Sequence, residues 1–278
     1  MRYQCFYAEI YRIRIRLAGR WLIHSIYIYM YASFYLSLNH ADGRVLQVEY
    51  ATAAASHSAA VVVAPVDADT VLLLTTRPAR SVQERLVVLS NAHTVVALSG
   101  ILTDSLALLQ KVQDETLSSQ RWYGRSLNCQ QVTASIQAAC QRHAFGGGLR
   151  PYGATVTVCG VLNGHVVTSR TDPSGSLQGV QGLQIVGGAS NGLLRKDIQR
   201  LRQQEKWGPE SVSQGIVDMI RRIQEADRKE RAAKHDSRKA DDEDEAPIIE
   251  VVIVSALRGV YKLSPSQIQA LLDKASKI

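Results

Sequence analysis

Apolar residues fall in two rhythms along this chain. The first is the short, nearly continuous run: Ala59–Pro65, closed by a proline; Thr70–Thr76 after a turn at Asp67-Ala68-Asp69; then Leu86–Leu89 and Thr94–Leu98, joined through Ser90-Asn91-Ala92-His93. Runs of that length predict strands covered on both faces. The second rhythm is helical. One helix is predicted from Thr103 or Asp104 as N-cap to about Tyr123. Another opens at Asn128, with Gln131 in a capping-box position and Val132, Ile136, Ala139 and Cys140 at helical spacing. After Gly146-Gly147-Gly148, the strands Ala154–Leu162 and His165–Arg170 flank Asn163-Gly164, a strong hairpin signal. Leu183–Val186 adds a strand before helices at about Asn191–Glu205 and Pro209–Arg231. Ile248–Leu257 reads as the last strand, and Ser264, Pro265 and Gln267 open a final helix as N-cap, first and third positions. Strand pairs alternating with helix pairs do not make βαβ units. They predict an α+β fold, with sheets packed on each other and helix layers outside.

Ahead of the first strand, Asp42-Gly43 is a turn signal, because the Asp side chain bonds the backbone ahead and Gly takes positive φ without strain. From Arg44 to Ala55 the chain has good helix formers and no Gly or Pro. Val45, Val48 and Thr52 lie on one side, and Leu46, Tyr50 and Ala53 on another. A short helix with two partly apolar faces suits packing on a neighbouring surface, against the plainer reading of an ordinary surface helix.

Composition narrows the function. The chain has 278 residues, 46% hydrophobic and 21% charged, ordinary values for a globular protein. The net charge of +7 and pI near 9.3 would permit nucleic-acid binding. The cations are interleaved with acids and no nucleic-acid module is present, so the charge reads as solvated helix faces and no nucleic-acid partner is expected. Cys5, Cys129, Cys140 and Cys159 have no Cys-x-x-Cys spacing and no His partners at zinc intervals. Reduced, buried thiols in a reducing compartment are expected, with no metal and no cofactor. The histidines are scattered, and Gly146-Gly147-Gly148 follows a helix and precedes a strand, the reverse of a phosphate-binding loop.

Two stretches stand apart. Residues 1–40 hold a single acid, Glu9, with five arginines and seven of the eleven tyrosines. A transit peptide or anchor, a genuine extra tail, or translated upstream or intronic sequence each fits. Polar residues within Trp21–Leu38 weaken a spanning helix, so no membrane association is expected. The abrupt change at His40-Ala41 favours the third reading. The charged stretch 227–246, basic and then acidic (Asp241, Asp242, Glu243, Asp244, Glu245), reads as a solvated, flexible loop between helix and strand, ahead of a nuclear-localisation signal.

The stretch Asp42-Gly43-Arg44-Val45-Leu46-Gln47-Val48-Glu49-Tyr50-Ala51 resembles the signature Asp-Gly-Arg-Leu-Phe-Gln-Val-Glu-Tyr-Ala that opens proteasome α-type subunits. Val45 is a conservative change, and Leu46 replaces Phe. Three further segments are similar to family motifs, in the right order. Leu98-Ser99-Gly100-Ile101-Leu102-Thr103-Asp104 looks like Ser-Gly-x-x-x-Asp, Arg150-Pro151-Tyr152-Gly153 like Arg-Pro-Phe/Tyr-Gly, and Asp172-Pro173-Ser174-Gly175 like the Asp-Pro-Ser-Gly turn. The resemblance covers the domain 41–278.

The resemblance implies a four-layer α-β-β-α sandwich of the N-terminal-nucleophile hydrolase type. It also implies a non-catalytic structural and gating subunit of the outer α ring of the 20S proteasome core, in ubiquitin-dependent protein degradation. Its partners would be the other α subunits of a hetero-heptameric ring, β-ring subunits and activator particles, in cytoplasm and nucleus. Catalytic relatives use an N-terminal Thr whose freed amine is the general base. Extension from the signature puts Ser58-Ala59-Ala60 where those relatives have Gly-Thr/Ser-Thr, and Thr75-Thr76-Arg77 where their Lys would lie, so no catalytic residue is expected. The alternative is an independent amidohydrolase activated by processing, with Ser56 or Ser58 as nucleophile. Arg85, in Glu84-Arg85-Leu86, matches the family's activator-tail Lys. The family's gate tripeptide Tyr-Asp-Arg is replaced by Ala32-Ser33-Phe34 and its Ser-Pro by His40-Ala41, which leaves Tyr50 alone of the gate set.

Overall fold

The computed structural model describes residues 44–79, 81–89, 93–146, 149–188, 192–204, 207–235 and 247–276. The extension 1–40, the turn Asp42-Gly43 and the acidic run 241–245 lie outside the described residues.

Among the described residues ten strands form two antiparallel five-stranded sheets. Sheet A has the order β10-β9-β2-β1-β8 and is built from β1 (Val61–Asp67), β2 (Thr70–Arg77), β8 (Gln184–Val186), β9 (Ile248–Ser255) and β10 (Gly259–Lys262). Sheet B has the order β3-β4-β5-β6-β7, from β3 (Leu86–Val88), β4 (Thr94–Gly100), β5 (Ala154–Leu162), β6 (His165–Thr171) and β7 (Leu177–Gly179). Among the described residues six helices accompany them: α1 (Leu46–Ser56), α2 (Leu102–Tyr123), α3 (Cys129–Phe145), α4 (Gly192–Gln203), α5 (Val212–His235) and α6 (Pro265–Ser276).

The continuous apolar runs have a direct cause. Alternate side chains of a strand point to opposite faces, and here both faces are covered. Val61, Val63, Leu73 and Val252 of sheet A meet Leu86, Val95, Ala97 and Cys159 of sheet B in one cluster. Their neighbours Val62, Leu72 and Leu74 point the other way, to Leu194 and Ile198 of α4 and Ile216 and Ile220 of α5. On sheet B, Val96, Leu98, Val156 and Val158 pack against Leu108 and Val112 of α2 and Val132 and Ile136 of α3. Each fully buried aliphatic side chain of this kind contributes roughly 1.5–3 kcal/mol.

Several expectations hold at the level of single bonds. Asn128 accepts from the Gln131 N–H at 2.9 Å while the Gln131 side chain accepts from the Asn128 N–H at 3.0 Å, a complete capping box. Ser264 and Gln267 make the same reciprocal pair ahead of α6. Asn163 and Gly164 both take positive φ, 51° and 82°, as a two-residue hairpin of β5 and β6 requires. Cys129, Cys140 and Cys159 are free and buried, and burial pushes the thiols of Cys140 and Cys159 up to about 12.

Other expectations are corrected. The first strand does not end at Pro65 but runs to Asp67 through a bulge. β8 pairs only with Val61–Val63, so the missing N–H of Pro65 breaks no ladder bond on that side. The predicted last strand, Ile248–Leu257, is a strand to Ser255 and a turn that returns through Gly259 (φ 76°) into β10. α2 is capped by the backbone of Ile101, with no side-chain cap from Thr103 or Asp104, because the Asp104 carboxylate is engaged elsewhere. α5 continues to His235, through residues expected to be loop. Ala226, Ala232 and Ala233 are strong helix formers, and Glu225 and Lys229 lie 3.9 Å apart at helical spacing.

Candidate functional site: helix α1 and the closed start of β1

Three segments converge where β1 begins: the end of α1, the end of β4 at Ser99-Gly100, and the chain leaving β8 at Gly187-Gly188. Ser58 ties them together. Its Oγ accepts from the Gly100 N–H at 2.6 Å, donates to the Ala55 carbonyl at 3.0 Å and lies 3.0 Å from the Ser99 hydroxyl. Its carbonyl accepts from the Gly188 N–H at 2.9 Å. Thr75 on β2 donates its hydroxyl to the Ala60 carbonyl at 2.8 Å. Packing at the junction leaves no spare volume. A Cβ on Gly187 would stand 2.1 Å from Ser99 Oγ, and one on Gly188 2.5 Å from the Ala60 Cβ. Both glycines also have positive φ, which only Gly adopts without cost.

This geometry bears on catalysis. Nucleophilic attack by the first residue of a strand needs a side-chain hydroxyl or thiol there and a free amine beside it. Ala59 and Ala60 bring methyl groups to that place, and Ala60 is buried. Ser56 donates its hydroxyl to the Ala53 carbonyl at 2.7 Å within the helix end. Both serines that a processing mechanism would need are therefore engaged with backbone groups.

At the far end of β2 the residue in the expected lysine region is held by an acid. Arg77 Nε lies 2.8 Å from Glu250 Oε1, and an Arg77 Nη donates to the Ser81 carbonyl. Glu250, only 5% exposed, also accepts from the Arg85 and Leu86 backbone N–H groups, each at 3.0 Å. One carboxylate thus joins sheet A to the start of β3. Arg85 is half-buried, and its guanidinium donates to the Leu98 carbonyl at 3.4 Å. Burial lowers its pKa and Glu250 partly offsets that. Beside it, Lys262 bridges to Glu84 at 2.6 Å and to the Leu86 carbonyl at 3.2 Å. Glu250 was missed in the sequence. The available signal was a lone acid inside the apolar run Ile248-Ile249-Glu250-Val251-Val252.

Helix α1 packs on β4 and β5. Only Ala55 is fully buried, and Val45, Leu46, Val48 and Ala51 are half-buried. Tyr50 is 63% exposed, and Gln47, Glu49, Thr52 and Ala53 also face solvent. Arg44 grips Glu49 with two nitrogens, a pair that spans the first turn and satisfies no helix-end N–H. The hydrogen bond from Arg44 holds the Glu49 carboxyl below its usual range. The helix therefore keeps apolar surface outward on more than one side.

The remaining motifs are mutual supports. Asp104 and Arg150 form a two-pronged ion pair at 2.7 and 2.6 Å, and the Gly153 N–H donates to Asp104 at 2.8 Å. Tyr152 stacks on His143 at 4.1 Å, and their polar atoms lie 3.1 Å apart. Ser99 and Gly100 lead into this corner. Pro151 supplies a carbonyl to Arg150 at 3.2 Å. In the last motif the Gly175 N–H bonds the Asp172 carbonyl at 2.8 Å, Asp172 accepts from Arg170 at 2.9 Å, and Ser174 accepts from the Ser176 N–H. A Cβ on Gly175 would meet Gln141 Cγ at 2.3 Å, so the turn after Pro173 rests on α3. Among the described residues no group of His, Cys, Asp and Glu could hold a metal, and no helix is long and apolar enough to cross a membrane.

Two antiparallel sheets, a short helix ahead of the first strand and this closed junction define the class of molecule. The chain belongs to the proteasome subunit family: the family profile described as "Proteasome subunit" matches residues 51–227. Its relatives make it an α-type subunit. It is similar to "Proteasome subunit alpha" of Methanobrevibacter smithii, 24% identical over 238 residues, 84% of this chain and 88% of that protein. It is also similar to "Proteasome subunit alpha 2" of Haloarcula marismortui, 30% identical over 187 residues, 66% of this chain and 74% of that one. The protein of the same type from Methanoculleus marisnigri is 30% identical over 140 residues, 49% of this chain and 58% of its own length.

Proposed function

We propose that this chain is a non-catalytic structural subunit of the outer α ring of the proteasome core, folded as a four-layer α-β-β-α sandwich of the N-terminal-nucleophile hydrolase type. The observation that carries the reading is the start of β1, where Ala59 and Ala60 bring only methyl groups and Ser58 is bonded to three separate segments. Ala59 and Ala60 offer no hydroxyl or thiol there, so the sandwich serves assembly. The three clusters, with helices on the outer face of each sheet, support the four-layer assignment.

The ring neighbours would be other α subunits of a hetero-heptamer, with β-ring subunits below and activator particles above. Exposed apolar surface on α1 supports contact with a neighbour. Through the segment that leads into α1 the subunit would take part in gating the pore, and it would act in ubiquitin-dependent degradation in cytoplasm and nucleus. The reading is tested by purifying the full chain, measuring its intact mass and exposing it to fluorogenic peptides and Thr-directed covalent inhibitors. No cleavage, no label and no processing after Ser56 or Ser58 are expected. Stoichiometric labelling, or loss of the segment ahead of β1, would establish the processed amidohydrolase instead.

A further inference from the structure

A cavity of about 820 Å³ opens between the first turn of α5, α6 and the β9–β10 hairpin, well away from α1 and the β1 junction. Its apolar side is formed by Val212, Ile253, Leu263 and Leu271. Polar groups are supplied by Thr70, which is 9% exposed, Ser213, Ser255, Tyr261 and Arg258. Arg258 sits in the turn between β9 and β10, and among the described residues no acid pairs with it. Nearby cations differ, since Lys262 is bound to Glu84.

An apolar cavity of this size with a few convergent polar groups is the usual form of a small-molecule site. Sign and shape then select the ligand. An aliphatic body replaces water against the wall, a carboxylate matches the two-pronged guanidinium, and hydroxyls supply further donors. We propose that this cavity binds a medium-chain monocarboxylate, with the hydrocarbon against Ile253 and Leu271 and the carboxylate at Arg258. A neutral alcohol of the same length would keep the apolar contacts and lose the charge-assisted bonds.

The test is titration of the full-length chain with decanoate and with decanol, followed by calorimetry and by side-chain NMR of the isoleucines. Saturable one-to-one binding of decanoate is expected, with decanol weaker by about ten-fold or more, the loss of one bond to a charged group. Arg258→Gln lies on an exposed turn and should reduce the preference for decanoate to near parity without altering the melting temperature. Ser213→Trp, at the exposed start of α5, should block both ligands. Absence of saturable decanoate binding, or equal decanoate affinity in wild type and Arg258→Gln, would overturn the proposal. If Ser213→Trp does not fold, the comparison of wild type with Arg258→Gln still decides.

Discussion

Arg150 closes on Asp104 across 46 residues of sequence, and the pair is one interaction written as two motifs. Asp104, at the first turn of α2, is 5% exposed; it takes two guanidinium nitrogens and the Gly153 N–H. The same approach makes Gly100 obligatory. Its φ is 113°, a Cβ there would stand 2.5 Å from the Gly153 carbonyl oxygen, and the Ile101 N–H bonds that oxygen at 2.9 Å. The carboxylate therefore fixes the end of β4, the start of α2 and the entry to β5 at once.

Replacing Asp104 with Ala should destabilise the fold by about 2–3 kcal/mol, since it leaves a buried N–H and an Arg without their acceptor. Urea unfolding measures the loss. The pH dependence has a definite sign. Hydrogen bonding from Arg150, then from Gly153, lowers the folded pKa of Asp104. Its contribution is complete above the ordinary aspartate value of roughly 4, and is lost as pH falls from there through the depressed folded value. Asp104→Asn should flatten that acid limb of the stability curve, and an unchanged limb would refute the assignment.

A second prediction separates the partners of the buried clamp at Glu250. Glu250→Ala removes the counter-charge of Arg77, which is 18% exposed, and leaves two backbone N–H groups without an acceptor, and should cost about 3–5 kcal/mol. Arg77→Ala should cost less, because the carboxylate keeps both backbone bonds. Equal losses in denaturant midpoints would mean that the backbone bonds contribute nothing.

How far this was readable from sequence depends on the range of the interaction. The two capping boxes, the Asn163-Gly164 hairpin and the strand runs were legible because their causes lie within a few residues. β10 was not, since Gly259-Val260-Tyr261-Lys262 is short and its pairing with Ile253 and Val254 exists only once the chain returns. β7 was missed for the same reason; its three residues are exposed and bond to β6 alone. At the site, a methyl group in place of a hydroxyl could be read from Ala59 and Ala60. The bonds that surround it could not, because Ser58, Ser99 and Gly188 come from three distant segments. Asp104 was read as a helix cap, its most local role, and the structure gives it a long-range one instead.

Helix α1 supplies a prediction about assembly. Leu46 and Val48 are half-buried in the isolated chain, so each has surface left for a neighbour. Changing both to Asp should leave the two sheets folded, as judged by circular dichroism, and prevent entry into rings formed with co-expressed partner subunits. A desolvated, unpaired carboxylate costs several kcal/mol, more than a single contact returns. Native mass spectrometry distinguishes rings from free subunits, and rings formed normally by the double variant would remove α1 from the interface.

The last prediction concerns Arg85. The Glu250 carboxylate fixes its backbone, and its side chain reaches the Leu98 carbonyl over a long 3.4 Å bond. A docked carboxylate would compete easily with so weak an acceptor, because it takes two guanidinium N–H groups at once where the carbonyl accepts one at 3.4 Å. The backbone clamp would then hold the fork in place as the side chain turns. Arg85→Ala should weaken binding of an activator's C-terminal peptide while thermal stability changes little, since Glu250 bonds the main chain and not this guanidinium. Arg85→Lys should restore only part of the affinity, because an ammonium lacks the planar two-pronged geometry. Peptide titration against assembled particles carrying each variant gives the comparison, and affinities equal to wild type in both would show that Arg85 holds no peptide carboxylate.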